Sequence, residues 1–247
     1  MTTKPSADHL NLTAKLDVAE VSVTEFEERL FPSEQRVFTG WLRHIVRISC
    51  VALTLITLYF AFTATIGEIA TRSLHLMFTV PLTLLLYPAY RAASRNKPSL
   101  LDILLAVTAL VCFAWSFWSQ DRFLDRYVGY DDVAIGDIIL GILALIVVAE
   151  APRRTVGSII VGLNLFFITY AVTGPYWPGL FQHRGVPLSE LIETLYMDTS
   201  GLFNFITGIM ATFLFAFLLF GSLLRATGGD AVFTNLAMAI AGHRRGG

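Results

Sequence analysis

Phe213 to Gly247 read FLFAFLLFGSLLRATGGDAVFTNLAMAIAGHRRGG: an apolar run, a Gly-Gly pair, a short amphipathic stretch and a basic end. The run extends back to Leu202, and Leu202 to Leu224 reaches across a bilayer's hydrocarbon core at ~1.5 Å rise per residue. With no water in that core, each backbone N–H and C=O must pair within its own segment, which selects a helix. Gly228 and Gly229 let the chain turn out of the membrane, and Asp230 caps a second helix. In it Phe233, Leu236, Ala237 and Ile240 fall at i, i+3, i+4 and i+7. That single stripe is too short to span and suits a helix lying along the interface. Gly242 ends it, before His243, Arg244 and Arg245.

The rest of the chain is of the same kind. With 55% hydrophobic and 15% charged residues and a mean hydropathy of +0.63, it holds more apolar surface than a soluble core of 247 residues could hide. Five further spans are expected over Ile45–Ile66, Ser73–Tyr87, Leu100–Trp118, Val133–Ala149 and Val156–Thr173. The expected fold class is all-α: a polytopic membrane protein of about six transmembrane helices plus the C-terminal amphipathic helix. Residues 1–44 form a polar tail in which Ser22 and Glu25 have capping-box spacing, so a short helix through Leu30 is expected. The first apolar run starts too late for a cleavable signal peptide. Net charge is −1 and the Lys and Arg residues are dispersed between apolar runs, which excludes a nucleic-acid partner. Cys50 and Cys112 lie in different spans at depths ~10 Å apart, too far for a disulfide, and are expected to be inert.

Orientation follows from the cationic residues. Eleven fall on one side (Arg36, Arg43, Arg47, Arg91, Arg95, Lys97, Arg153, Arg154, Arg225, Arg244, Arg245) and four on the other (Arg72, Arg122, Arg126, Arg184). The second side also carries Asp121, Asp125, Asp131 and Asp132. Both termini are therefore expected in the cytoplasm. Trp41, Trp115, Trp118 and Trp177 lie at span ends, the headgroup level that indole prefers.

Two sets of residues stand out. Glu150, Arg153 and Arg154 form a polar cluster at the cytoplasmic end of the fourth span, where Pro152 is expected to break the helix and free carbonyls. The cluster reads either as a topology signal or as a structural group in which Glu150 fixes helix packing by pairing with Arg153, Arg154 or a basic residue on another cytoplasmic turn. No nucleophile with a positioned base accompanies it, so no enzyme is expected. Trp177, His183 and Arg184 lie on an outer loop, which reads as solvated or as a surface for docking a partner; a lone His without a close second ligand does not suit zinc. Asn164 and Asn204 are expected to bond between helices, and Asp102 and Asp137 to sit at favourable helix starts. No ionisable residue is expected near mid-membrane.

The order of motifs carries a resemblance. The apolar helix ending in FG, the Gly-rich turn, the short LA-containing helix and G-H-x-R-G-G resemble the large membrane subunit of tripartite ATP-independent periplasmic (TRAP) transporters. Glu150-Ala151-Pro152-Arg153-Arg154 and Tyr170-Ala171-Val172-Thr173-Gly174-Pro175-Tyr176-Trp177-Pro178-Gly179, with His183 and Gly185 after them, are similar to the fused permeases of the TAXI branch. The resemblance spans roughly Arg36 to Gly247. It implies a small-subunit-like region over residues 45–186 and the opening of the large-subunit domain over 187–247. It further implies a bacterial inner-membrane symport system for organic acids, driven by an ion gradient, without cofactor or metal. Its partners would be a periplasmic TAXI-type solute-binding protein, membrane lipids and the remainder of the permease. In the family the chain continues into hairpins that hold substrate and ion, so the resemblance implies a fragment without that site. Asn204, where the family more often has Gly, and Pro152 depart from its pattern. The alternative is a non-catalytic membrane scaffold or assembly protein for another permease.

Overall fold

The computed structural model describes residues 36, 38, 40–63, 67–90, 97–229, 232, 233, 235, 238 and 239. Their regular elements are α1 (Trp41–Thr63), α2 (Glu68–Leu86), α3 (Leu100–Trp118), the short α4 (Gln120–Leu124), α5 (Ile135–Thr155), α6 (Ser158–Thr173), α7 (Leu188–Ile192), α8 (Phe205–Ile209) and α9 (Phe215–Ala226). A π-helical turn, Glu193–Met197, continues α7, and another, Met210–Leu214, joins α8 to α9. Phe205–Ala226 is thus one rod, and the described residues hold six helices long and apolar enough to cross a membrane.

The centre is a three-helix sandwich in which α2, α3 and α5 pack on one another. Ile69, Val80 and Leu84 of α2 meet Ala109, Cys112 and Phe113 of α3 and Ala144, Val147 and Ala151 of α5. Alanines at the crossings let backbones approach closely, the usual basis of helix association where lipid removes the hydrophobic drive. Phe123, Tyr196, Met197 and Phe203 close this core at one end. The other three spans are peripheral: α1 lies against α2 and the final rod, and α6 packs on α5 without burying any of its own side chains.

Local signals account for several boundaries. Ser99 and Asp102 form a capping box at the start of α3, Ser99 Oγ accepting from the Asp102 N–H at 3.2 Å and Asp102 accepting from the Ser99 N–H at 2.9 Å. The α5–α6 hairpin turns on Gly157, whose φ of 115° is a conformation that side chains other than glycine's rarely adopt.

Elsewhere the structure departs from the sequence reading. Helix α2 starts at Glu68, five residues before the expected Ser73, because Glu68 and Arg72 pair one turn apart at 2.6 Å and so tolerate the helical end. Helix α5 runs past the expected Ala149 to Thr155, with Pro152 inside it. Pro152 therefore does not break the helix. Asn204 does not bond between helices; it caps α8, accepting from the Thr207 N–H at 3.0 Å. Asn164 lies on the exposed surface of α6. With α2 lengthened, His75 falls well inside a span rather than in its first turn: it lies edge-on to Phe215 with ring centroids 6.1 Å apart, and its buried Nδ1 has no hydrogen-bond partner. The expected absence of an ionisable group from the span interiors is thus corrected. Gly228 adopts φ 77°, in keeping with a turn out of the membrane. Asp230, Leu236, Ala237 and Ile240 of the expected amphipathic helix, the basic end after it and the expected helix from Ser22 to Leu30 lie outside the described residues.

Candidate functional site

At the end where α2 and α5 finish and α3 begins, carbonyls of α2 and of the turn after it are taken by three arginines. Leu84 and Tyr87 carbonyls accept from Arg154 Nη1 at 2.8 and 3.0 Å. The Leu85 carbonyl accepts from Arg36 Nη1 at 3.0 Å, the Leu86 carbonyl from the Arg36 backbone N–H at 2.8 Å, and the Ala89 carbonyl from Arg153 Nη2 at 3.2 Å. Pro152 frees no carbonyl that these arginines use; the acceptors belong to α2 and the turn after it. Two carboxylates balance the guanidiniums. Glu150 accepts from Arg153 at 2.5 and 2.6 Å and from Arg154 Nε at 2.7 Å. Asp102 pairs with Arg154 at 2.6 Å and with Arg36 at 2.8 Å, all three side chains being fully buried.

Helix polarity explains this placement. The cations lie at the negative ends of α2 and α5, and Asp102 lies in the first turn of α3, the positive end. Of the partners open to Glu150, the structure gives it Arg153 and Arg154 of its own helix, at i+3 and i+4, and not a basic residue of another helix. The carboxylate that ties helices together is Asp102. Sequence reasoning missed that role and read Asp102 only as an acid at a favourable helix start. Arg36, before the first span, gave no signal beyond its charge.

The opposite end is built in the same way. Asp137, at the start of α5, accepts from Trp115 Nε1 and Arg122, both at 2.8 Å. Buried Glu193 accepts from Arg126 at 3.2 Å and from the Gly129 N–H at 3.1 Å, which holds the α4–α5 loop against the π turn. Arg72 donates to the Phe203 carbonyl at 2.6 Å, just before the cap of α8. Tyr196 donates to the Cys112 carbonyl at 2.7 Å, and burial pushes its phenol well above the usual range, so it stays protonated. The cations that served only as markers of orientation in the sequence thus hold this end together.

The loop after α6 folds back on that helix. Trp177 donates to Thr173 Oγ1 at 3.0 Å and packs edge-on to Phe166 and Tyr170. His183 lies edge-on to Tyr170 with ring centroids 4.7 Å apart. Its Nδ1 accepts from the Gly185 N–H at 3.1 Å, which assigns the proton to Nε2, 3.1 Å from the Tyr170 carbonyl. Both ring nitrogens are occupied. Among the described residues there is no group of three His, Cys, Asp or Glu side chains arranged to hold a metal. Of the three residues picked out on this loop, Trp177 and His183 turn inward and only Arg184 is exposed. The outward surface is instead Tyr176, Leu180 and Phe181.

Fold and ends together define a multi-pass helical membrane protein whose described charged clusters pair for packing. Residues 143–247 match the family model described as "Tripartite ATP-independent periplasmic transporter, DctM component", which supports a TRAP-type membrane permease. The match runs from within α5 through α6, the loop after it and the final rod. No curated protein and no solved structure matches the chain.

Proposed function

We propose that the chain belongs to a membrane permease of the TAXI type: a binding-protein-dependent, ion-gradient-driven symporter of organic acids in a bacterial inner membrane, with both termini cytoplasmic. The observation that carries the reading is the DctM match over residues 143–247, which coincides with membrane-crossing helices and with the loop that bears Trp177, His183 and Arg184. In this reading residues 45–186 are the small-subunit-like frame and residues 187–247 open the transport domain. Glu150, Arg153 and Arg154 brace the cytoplasmic end of the frame. A periplasmic TAXI-type binding protein docks on the outer loop, through Arg184 and the exposed Tyr176, Leu180 and Phe181, while Trp177 and His183 hold that surface in shape.

Binding between the reconstituted chain and a TAXI-type binding protein tests this. Leu180→Ser with Phe181→Ser should weaken binding by roughly tenfold, since an exposed apolar anchor at an interface contributes on the order of 1–2 kcal/mol. Absence of binding to any TAXI-type protein, with the loop intact, would overturn the docking assignment.

A further inference from the structure

The first two turns of α1 carry Arg43, His44 and Arg47, all exposed. At about 100° per residue they lie on the side of the helix that holds Ile48, Val51 and Leu55. Those three are exposed in a helix long and apolar enough to span, so this side faces lipid. Among the described residues Arg43 and Arg47 have no ion-pair or hydrogen-bond partner, in contrast to Arg36, Arg153 and Arg154. The first turn of α1 contains no acidic residue.

Arg47 lies six residues after Trp41, ~9 Å along the helix. An unpaired guanidinium on a lipid-facing surface at that depth is costly, and its long stem carries it back to the headgroup layer. The anion available there is a lipid phosphate, which a guanidinium binds through two parallel hydrogen bonds. Trp41 is 70% exposed and is placed to set this end of α1 at the interface. Arg225, exposed at the end of α9, adds charge in the same leaflet, because it closes the last of six spans and the start of α1 opens the first. A zwitterionic headgroup balances its own phosphate, whereas an anionic one brings a net negative charge.

We infer that the N-terminal end of α1 is a binding site for an anionic phospholipid headgroup, formed by Arg43 and Arg47 with His44 and Trp41. The site depends on the exposed surface of α1 and not on the transport reading, so either can fail alone.

Native mass spectrometry of the full chain, extracted with mixed phosphatidylglycerol and phosphatidylcholine, is the direct test. The wild-type protein should retain phosphatidylglycerol in preference to phosphatidylcholine. Arg43→Gln with Arg47→Gln should lower that preference by roughly fivefold per arginine, and the single Arg47→Gln by about half of that on a logarithmic scale. Arg43→Lys with Arg47→Lys should keep most of it. An unchanged preference in the double Gln variant, no preference in the wild type (another segment or subunit then covers the stripe), or full displacement by inorganic phosphate at matched concentration would each overturn the proposal.

Discussion

Asp102 and Glu150 are both acids among arginines, yet their surroundings set them apart. Asp102 meets Arg36 and Arg154 where all three side chains are sealed from solvent. Glu150 keeps 17% of its side-chain surface exposed; of its partners Arg153 keeps 32%, and buried Arg154 retains Asp102 when Glu150 is lost. Removing one member of a buried pair leaves an uncompensated charge, at a cost of roughly 3–5 kcal/mol, whereas a pair that water reaches loses less, down to about 1 kcal/mol or less when fully exposed. Asp102→Asn should therefore lower the melting temperature in detergent far more than Glu150→Gln does. Equal losses would show that burial does not rank these two acids. The same contrast explains what the sequence showed. Glu150, Arg153 and Arg154 cluster within five positions and could be seen as a group, but Asp102 and Arg36 join them only when three chain segments meet.

At the scale of elements, close approach governs. Gly201 lies in the turn between the π turn after α7 and the final rod, where Leu202 donates to the Leu195 carbonyl at 2.8 Å. A Cβ on Gly201 would stand 2.2 Å from that same carbonyl oxygen, and backbone cannot rotate aside as a side chain can. Gly162, on α6, has nothing within 4 Å of where a Cβ would be. Gly201→Ala should thus lower thermal stability markedly, by an overpacking cost of roughly 1–3 kcal/mol or more. Gly162→Ala should be neutral or stabilising by up to ~1 kcal/mol, through helix propensity. Comparable melting of the two variants would sink this account of the turn. Helix ends follow the same logic: charged residues that look like stop signals, Glu68 and Arg72 or Glu150 and Arg153, stay helical because each pair neutralises itself along one face.

For the whole molecule, orientation is the open physical quantity, and the distribution of cations predicts it. Single cysteines at Lys97 and Val156, in a background with Cys50 and Cys112 replaced by Ala, should label only from the cytoplasmic side. Cysteines at Tyr130 and Arg184 should label only from outside; labelling of Val156 from outside would overturn the six-span topology. Helical spans were legible in the sequence because a bilayer permits few spanning structures, and runs such as Leu100–Trp118 declare themselves by length and composition alone. The candidate site was legible only where its members are neighbours in sequence, as at Glu150-Ala151-Pro152-Arg153-Arg154. The tertiary structure decided which three spans form the core, that Asp102 and Asp137 anchor opposite ends, and that Trp177 and His183 face inward. Those outcomes depend on which helix carbonyls and which opposite charges lie within ~3 Å, a distance that only the packing of separate helices sets.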